Sequence, residues 1–69
     1  MRRRPVDSSS VRSIGYDAAS GTLEVEFHHG TVYRYRGVPR KVHEELVAAD
    51  SIGRYFNAHV RDRYPFRRL

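Results

Sequence analysis

Thr22-Leu23-Glu24-Val25-Glu26-Phe27-His28-His29-Gly30-Thr31-Val32-Tyr33-Arg34-Tyr35 decides the fold of this chain. Residues 22–27 alternate polar and apolar without a fault, the period of a strand with one face turned to a core. Leu23, Val25 and Phe27 make that face, while Thr22, Glu24 and Glu26 turn away from it. The loop that follows sets where every later side chain points, because a one-residue slip exchanges the two faces. A short His29-Gly30 loop pairs Phe27 with Val32 and places Arg34 and Arg36 among the apolar residues. The longer loop His28-His29-Gly30, with Gly30 at positive φ, pairs Val25 with Tyr33 and Leu23 with Tyr35. It also sets Glu24 across from Arg34 on the solvent side, a favourable cross-strand pair, and is the register expected.

Toward the N-terminus, Asp17-Ala18-Ala19-Ser20-Gly21 has turn chemistry and Val11 to Tyr16 reads as a strand with Ile14 and Tyr16 on one face. Residues 1–9, with Pro5 and no apolar periodicity, are expected to be a disordered basic arm. Toward the C-terminus the period becomes helical: Pro39 suits a first helical position, and Val38, Val42, Leu46 and Ala49 fall on one side. Asp50-Ser51 can cap a second helix, whose apolar stripe is Ile52, Tyr55, Phe56, His59 and Val60. Tyr64-Pro65-Phe66 ends it, with rings that either fold back as a lid or stay outside. The expected fold is α+β: a three-stranded antiparallel β-meander followed by a two-helix hairpin packed on one face (βββαα), a single domain over residues 10–66, with residues 67–69 a basic tail.

A chain of 69 residues holds one small core, with little stability to spare for strained catalytic geometry. It has no cysteine, hence neither a disulfide framework nor a thiolate zinc site, as suits a reducing compartment. Met1-Arg2-Arg3-Arg4 is not followed by the apolar stretch of a signal peptide and no apolar run is long enough to span a bilayer, so the expectation is a soluble, cytoplasmic protein without membrane contact. The net charge of +5 is unevenly spread. Residues 5–60 hold six cations against seven anions, whereas residues 1–4 carry three arginines and residues 61–69 carry Arg61, Arg63, Arg67 and Arg68 against Asp62 alone. Twelve of the thirteen basic residues are Arg, whose planar fork suits phosphate; genomic base composition yields the same bias.

Tyr33 and Tyr35 share a face and read either as a stacking platform for bases or as core rings beside Leu23, Val25 and Phe27; the register and the small size favour the core. Arg34 and Arg36 are either phosphate contacts or members of a solvated face, where Glu24 and Glu26 would repel a phosphate backbone. Arg61, Arg63, Arg67 and Arg68, interleaved with Tyr64 and Phe66, have the composition of a single-strand binder and equally that of a solubilising tail. His28, His29, His43 and His59 lack metal-ligand spacing, and His59 is expected in the core. No serine sits in a nucleophile elbow, Ser51 suits a cap better, and Glu44-Glu45 diverge on a helix, so no enzyme, metal or cofactor is expected. Asn57 has no evident packing role.

The strand Thr22 to Phe27, the Tyr33-Arg34-Tyr35 triplet, Val38-Pro39, Ala49-Asp50-Ser51-Ile52-Gly53-Arg54-Tyr55-Phe56-Asn57 and Val60-Arg61-Asp62-Arg63-Tyr64 together resemble the KTSC domain over roughly residues 10 to 66. That module is named for the C-terminus of some lysyl-tRNA synthetases and also stands alone in bacterial and phage proteins. The resemblance implies a module of unsettled activity, with RNA binding suggested by the synthetase association; joined to the charge reading above, the expectation is a small non-catalytic binding module that meets tRNA or single-stranded RNA through Arg34, Arg36, Arg61, Arg63, Tyr64, Arg67 and Arg68. It implies a structural role for the motif residues Tyr33, Tyr35, Ser51, Gly53, Tyr55, Phe56 and Asn57. The alternative is a protein-interaction or self-association module using an exposed sheet edge.

Overall fold

A computed structural model describes residues 2–69 and shows one antiparallel sheet of five strands, in the order β1-β2-β3-β4-β5, with two helices on one face. The elements are β1 (Arg4–Pro5), β2 (Val11–Asp17), β3 (Thr22–Phe27), β4 (Val32–Tyr35), α1 (Arg40–Ala48), α2 (Ile52–His59) and β5 (Phe66–Arg68). The central meander keeps the expected register, Leu23 facing Tyr35, Glu24 facing Arg34 and Val25 facing Tyr33. The Phe27 N–H donates to the Thr31 carbonyl at 2.9 Å to close the His28-His29-Gly30 loop, and Gly30 takes φ 97°, which costs a residue without Cβ nothing.

Five strands replace the expected three, and the two additions correct the reading of both chain ends. Of the segment expected as a disordered arm, Arg4 pairs with Ile14, Pro5 with Ser13, and the Val6 N–H donates to the Arg12 carbonyl at 3.1 Å; Met1 lies outside the described residues. Of the expected tail, Arg67 pairs with Arg34 and Arg68 with Tyr33, flanked by bonds from the Arg36 N–H to Pro65 and from the Leu69 N–H to Val32. The physical reason is common to both. A three-stranded meander leaves a row of unpaired N–H and C=O groups along each outer strand, and the chain ends cover them. Strands of two and three residues are too short to display an alternation of their own.

Helices and sheet enclose Val11, Ile14, Leu23, Val25, Tyr35, Val38, Leu46, Ile52, Phe56 and Val60. Pro39 precedes the first helical residue rather than being it: its ψ of 151° is extended, so it stands at the cap position of α1. At α2 the Ser51 hydroxyl accepts from the Arg54 N–H at 3.3 Å. Gly53, in the first turn of α2, lies against the loop before β2: a Cβ there would come within 3.2 Å of the Ser10 hydroxyl. The buried positions of α2 and its cap are Ile52, Phe56 and Val60, a stripe narrower than expected. Tyr55 lies on its shoulder, donating its hydroxyl to Glu45 at 2.7 Å, and His59 is exposed with its ring 4.4 Å from that of Tyr55, a correction to its expected place in the core.

Candidate functional site

The sheet face away from the helices holds a buried acid where a solvated ion pair was expected. Glu24 is 3% exposed. One carboxylate oxygen accepts from Arg34 Nε and Nη2 at 2.8 and 2.6 Å, and the other from Arg3 Nη1 at 2.8 Å. Burial pushes the Glu24 carboxyl up, but the hydrogen bonds and charges of Arg34 and Arg3 outweigh it and hold the group below its ordinary range. The N-terminal segment thus lays a guanidinium on a carboxylate from β3, which is why Glu24 leaves solvent. Arg34 is committed to this pair, so its first role is structural. Beside it, Arg36 and Arg67 are exposed and share a shallow hollow with it on this face.

On the helix side, a cleft of about 310 Å³ opens between the sheet and the end of α2. Its walls are the rings of Phe27, Tyr33, Tyr35, Phe56 and Phe66, with centroids 5.3 to 5.8 Å apart from Phe27 to Phe56, Phe56 to Tyr35, Tyr35 to Phe66, Phe66 to Tyr33 and Tyr33 to Phe27. Tyr35 forms the floor at 4% exposure, Tyr33 is half-buried, and Phe66 stands at the mouth, 55% exposed. Burial pushes the Tyr35 hydroxyl up to about 12, with Tyr33 and Asp62 adding to the rise and Arg61 opposing it. The chain end therefore folds back as one wall of a cleft.

The rim of the cleft is polar: His29, Asn57, Arg61 and Asp62. Asn57 reaches it from the exposed side of α2 one residue after the buried Phe56. Arg61 and Asp62 lie in the turn that ends the helix, closed by the Arg63 N–H on the Val60 carbonyl at 3.1 Å. Asp62, the third residue of that turn, has φ 64°, a position where a turn ordinarily places Gly or Asn. Among the described residues Asp62 is the one non-glycine with positive φ, and its carboxylate has no hydrogen-bonding or ionic partner.

The structure does not gather the expected RNA contacts into one patch. Arg61 borders the cleft, and Arg68, across from Tyr33 in the register, shares the cleft's side of the sheet. Arg34, Arg36 and Arg67 occupy the opposite face. Arg63 and Tyr64 line a separate groove with Lys41, Glu45 and Tyr55 on the far side of α2. The N-terminal arginines sit on the other edge of the sheet, four strand spacings or roughly 19 Å from β5. Reading along the chain missed Asp62, His29 and Glu24 as site residues; the one signal for Asp62 was an acid amid four arginines. Among the described residues, no three His, Cys, Asp or Glu come together as a metal-holding group, and no helix is long and apolar enough to cross a membrane.

Residues 7–64 match the KTSC domain family. The chain is 53% identical over 57 residues to a protein of Stutzerimonas stutzeri, covering 83% of this chain and 80% of that one. It is 35% identical over 63 residues to the lysine–tRNA ligase of Nostoc punctiforme, covering 91% of this chain but 11% of the ligase. Among solved structures, a KTSC domain protein from Yersinia pestis superposes with a TM-score of 0.93 at 38% identity, over 99% of this chain and 96% of that one.

Proposed function

The chain belongs to the KTSC domain family, and from that premise we propose that it is a non-catalytic module that binds RNA at its C-terminal edge. The observation that carries this reading is the aromatic cleft with arginines beside it that no carboxylate holds. Arg61 and Arg68 form no ion pair among the described residues, and Phe66, which lines the cleft with Arg61 and stands two residues before Arg68 on β5, offers a half-exposed ring. Guanidinium beside an open ring is the arrangement that takes single-stranded nucleic acid, the cation meeting phosphate and the ring meeting a base. The likeness to a region of lysine–tRNA ligases, enzymes named for a tRNA substrate, supports RNA as the ligand class.

Fluorescence anisotropy with labelled tRNA and with an unstructured single strand tests it. With two phosphate contacts on a single strand, at Arg61 and Arg68, affinity should fall about sevenfold between 50 and 200 mM salt. Replacing Arg61 and Arg68 by Ser should flatten that slope and abolish binding at the higher salt. No binding by the wild-type chain at low salt, or an unchanged slope in the variant, overturns the reading.

A second reading is favoured by β5 itself. All three of its residues are exposed, Phe66 and the following Leu69 are both more than half exposed, and the far edge of this outer strand has no partner among the described residues. Such an edge can accept a strand from another protein or another copy. Light scattering, and capture of a discrete protein that survives nuclease treatment, would favour this reading over RNA.

A further inference from the structure

An acid stands at the centre of the basic edge, and phosphate binding has no use for it. Asp62 is flanked in sequence by Arg61 and Arg63, lines the aromatic cleft, has no hydrogen-bonding or ionic partner among the described residues and holds a positive φ. Strained positions persist where surrounding structure imposes them, and they gather at ligand sites. An anion repels phosphate, so what a carboxylate exposed at this rim suits is a ligand group with N–H donors, which within an RNA is a base edge. We propose that the cleft takes one unstacked guanine of a bound RNA, with the Asp62 carboxylate as its reader; the proposal rests on the RNA-binding reading above.

The chemistry selects guanine among the four bases. Its Watson–Crick edge carries N1–H and the N2 amino group side by side, two donors that one carboxylate accepts together, with O6 beside them as an acceptor suited to the Asn57 amide. Adenine and cytosine set a single amino group next to a ring-nitrogen lone pair, and uracil sets one N–H between two carbonyls. A carboxylate facing any of these meets a lone pair along with its donor. The cleft volume of about 310 Å³ lies at the small end of ligand pockets and suits a single base. Phe66 at the mouth supplies the face on which it stacks, and Arg61 the cation for the adjoining phosphate.

The test uses oligo-uridine strands of about ten nucleotides with one central residue changed to G, A, C or inosine, titrated against the whole chain and against Asp62→Asn. Asn tolerates positive φ and occupies the same volume, so the variant keeps the turn and exchanges an anion with two acceptor oxygens for an amide with one. The G strand should bind about tenfold more tightly than the A, C and all-U strands, the low end for a bidentate base contact because this rim is open to water. Inosine, which lacks the N2 amino group, should fall between. Asp62→Asn should bring all strands within twofold of one another, with oligo-uridine bound at least as tightly as by the wild type because one anion beside the phosphates is gone. Wild-type affinities that are equal for all strands, or a preference that survives Asp62→Asn, overturn the guanine pocket and leave RNA binding standing. Absence of binding to every strand, oligo-uridine included, overturns both.

Discussion

The two arginine-rich ends of the chain, alike in composition, lie on opposite edges of one sheet and meet different neighbours. At the β1 edge, Arg3 reaches a buried carboxylate and is held there with Arg34. At the β5 edge, Arg61 and Arg68 find no acid among the described residues to hold them, and Asp62, next to Arg61 in sequence, lines the cleft. What separates a structural guanidinium from one free to meet a ligand is therefore the presence of a fixed carboxylate within reach. Net charge counts both alike.

Breaking the first half of the comparison should produce the largest effect. Glu24→Ala removes the acceptor of three hydrogen bonds from charged donors and leaves Arg3 and Arg34 to turn to water. Urea denaturation should show a loss of about 2 to 3 kcal/mol. RNA affinity should stay the same or rise slightly, since two guanidiniums are released. A loss under about 0.5 kcal/mol would place Glu24 with ordinary surface pairs and erase the distinction between the edges.

The same contact sets a pH dependence of known sign. The folded chain holds the Glu24 proton less tightly than the unfolded chain does, because the group lies below its ordinary value of 4.5. The stabilisation is complete above that value and disappears as pH falls through the lower folded one. His43, pushed down by burial against Tyr16, destabilises in the same direction but begins to act near its ordinary value of 6.5. The difference in unfolding free energy between wild type and Glu24→Gln separates the two: it should be constant from pH 7 to about 5 and shrink as the pH falls below 4.5. A difference that already declines between pH 7 and 5 would assign the linkage elsewhere.

How much of this was legible in the sequence follows from the length over which a pattern repeats. The meander and its register were readable because residues 22–27 alternate over a full strand and because Glu24 and Arg34 agree with the loop length at Gly30. β1 and β5 were not, since two or three residues display no period and their pairing is dictated by the edge they cover. Glu24 looked like a solvent-facing residue for the same reason: what buries it is Arg3, twenty-one residues away, brought over by a strand with no signature. The cleft draws on four separate stretches, and the φ of Asp62 has no sequence signal beyond an acid among arginines.

Single substitutions at the two edges should give mirror-image results of intermediate size. Arg3→Ser should cost about 1 kcal/mol of stability, leaving Glu24 with Arg34 alone, and change RNA affinity less than twofold. Arg61→Ser should leave stability within about 0.5 kcal/mol and weaken RNA binding about threefold at 100 mM salt, as one lost phosphate contact does. Equal effects of both substitutions on affinity, measured by anisotropy on the same strand, would mean that the arginine count governs binding and that the Glu24 contact does not matter.

The smallest effect should come from Asp62, where the β5 edge gives up stability that the β1 edge does not. An L-residue in the left-handed region costs about 1 to 2 kcal/mol, less for Asp than for most. Replacing it by Gly removes that cost and adds unfolded-state entropy of about 0.5 to 1 kcal/mol in the opposite direction. Asp62→Gly should therefore raise stability by only about 0.5 kcal/mol, detectable as an upward shift in the urea midpoint at unchanged slope. A gain with loss of base preference would mean that the strained acid is kept for what it binds, in contrast to Glu24, which is kept for what it holds together. A loss of stability would instead make the Asp62 side chain part of the turn that ends α2, and the two acids would then have the same role at their respective edges.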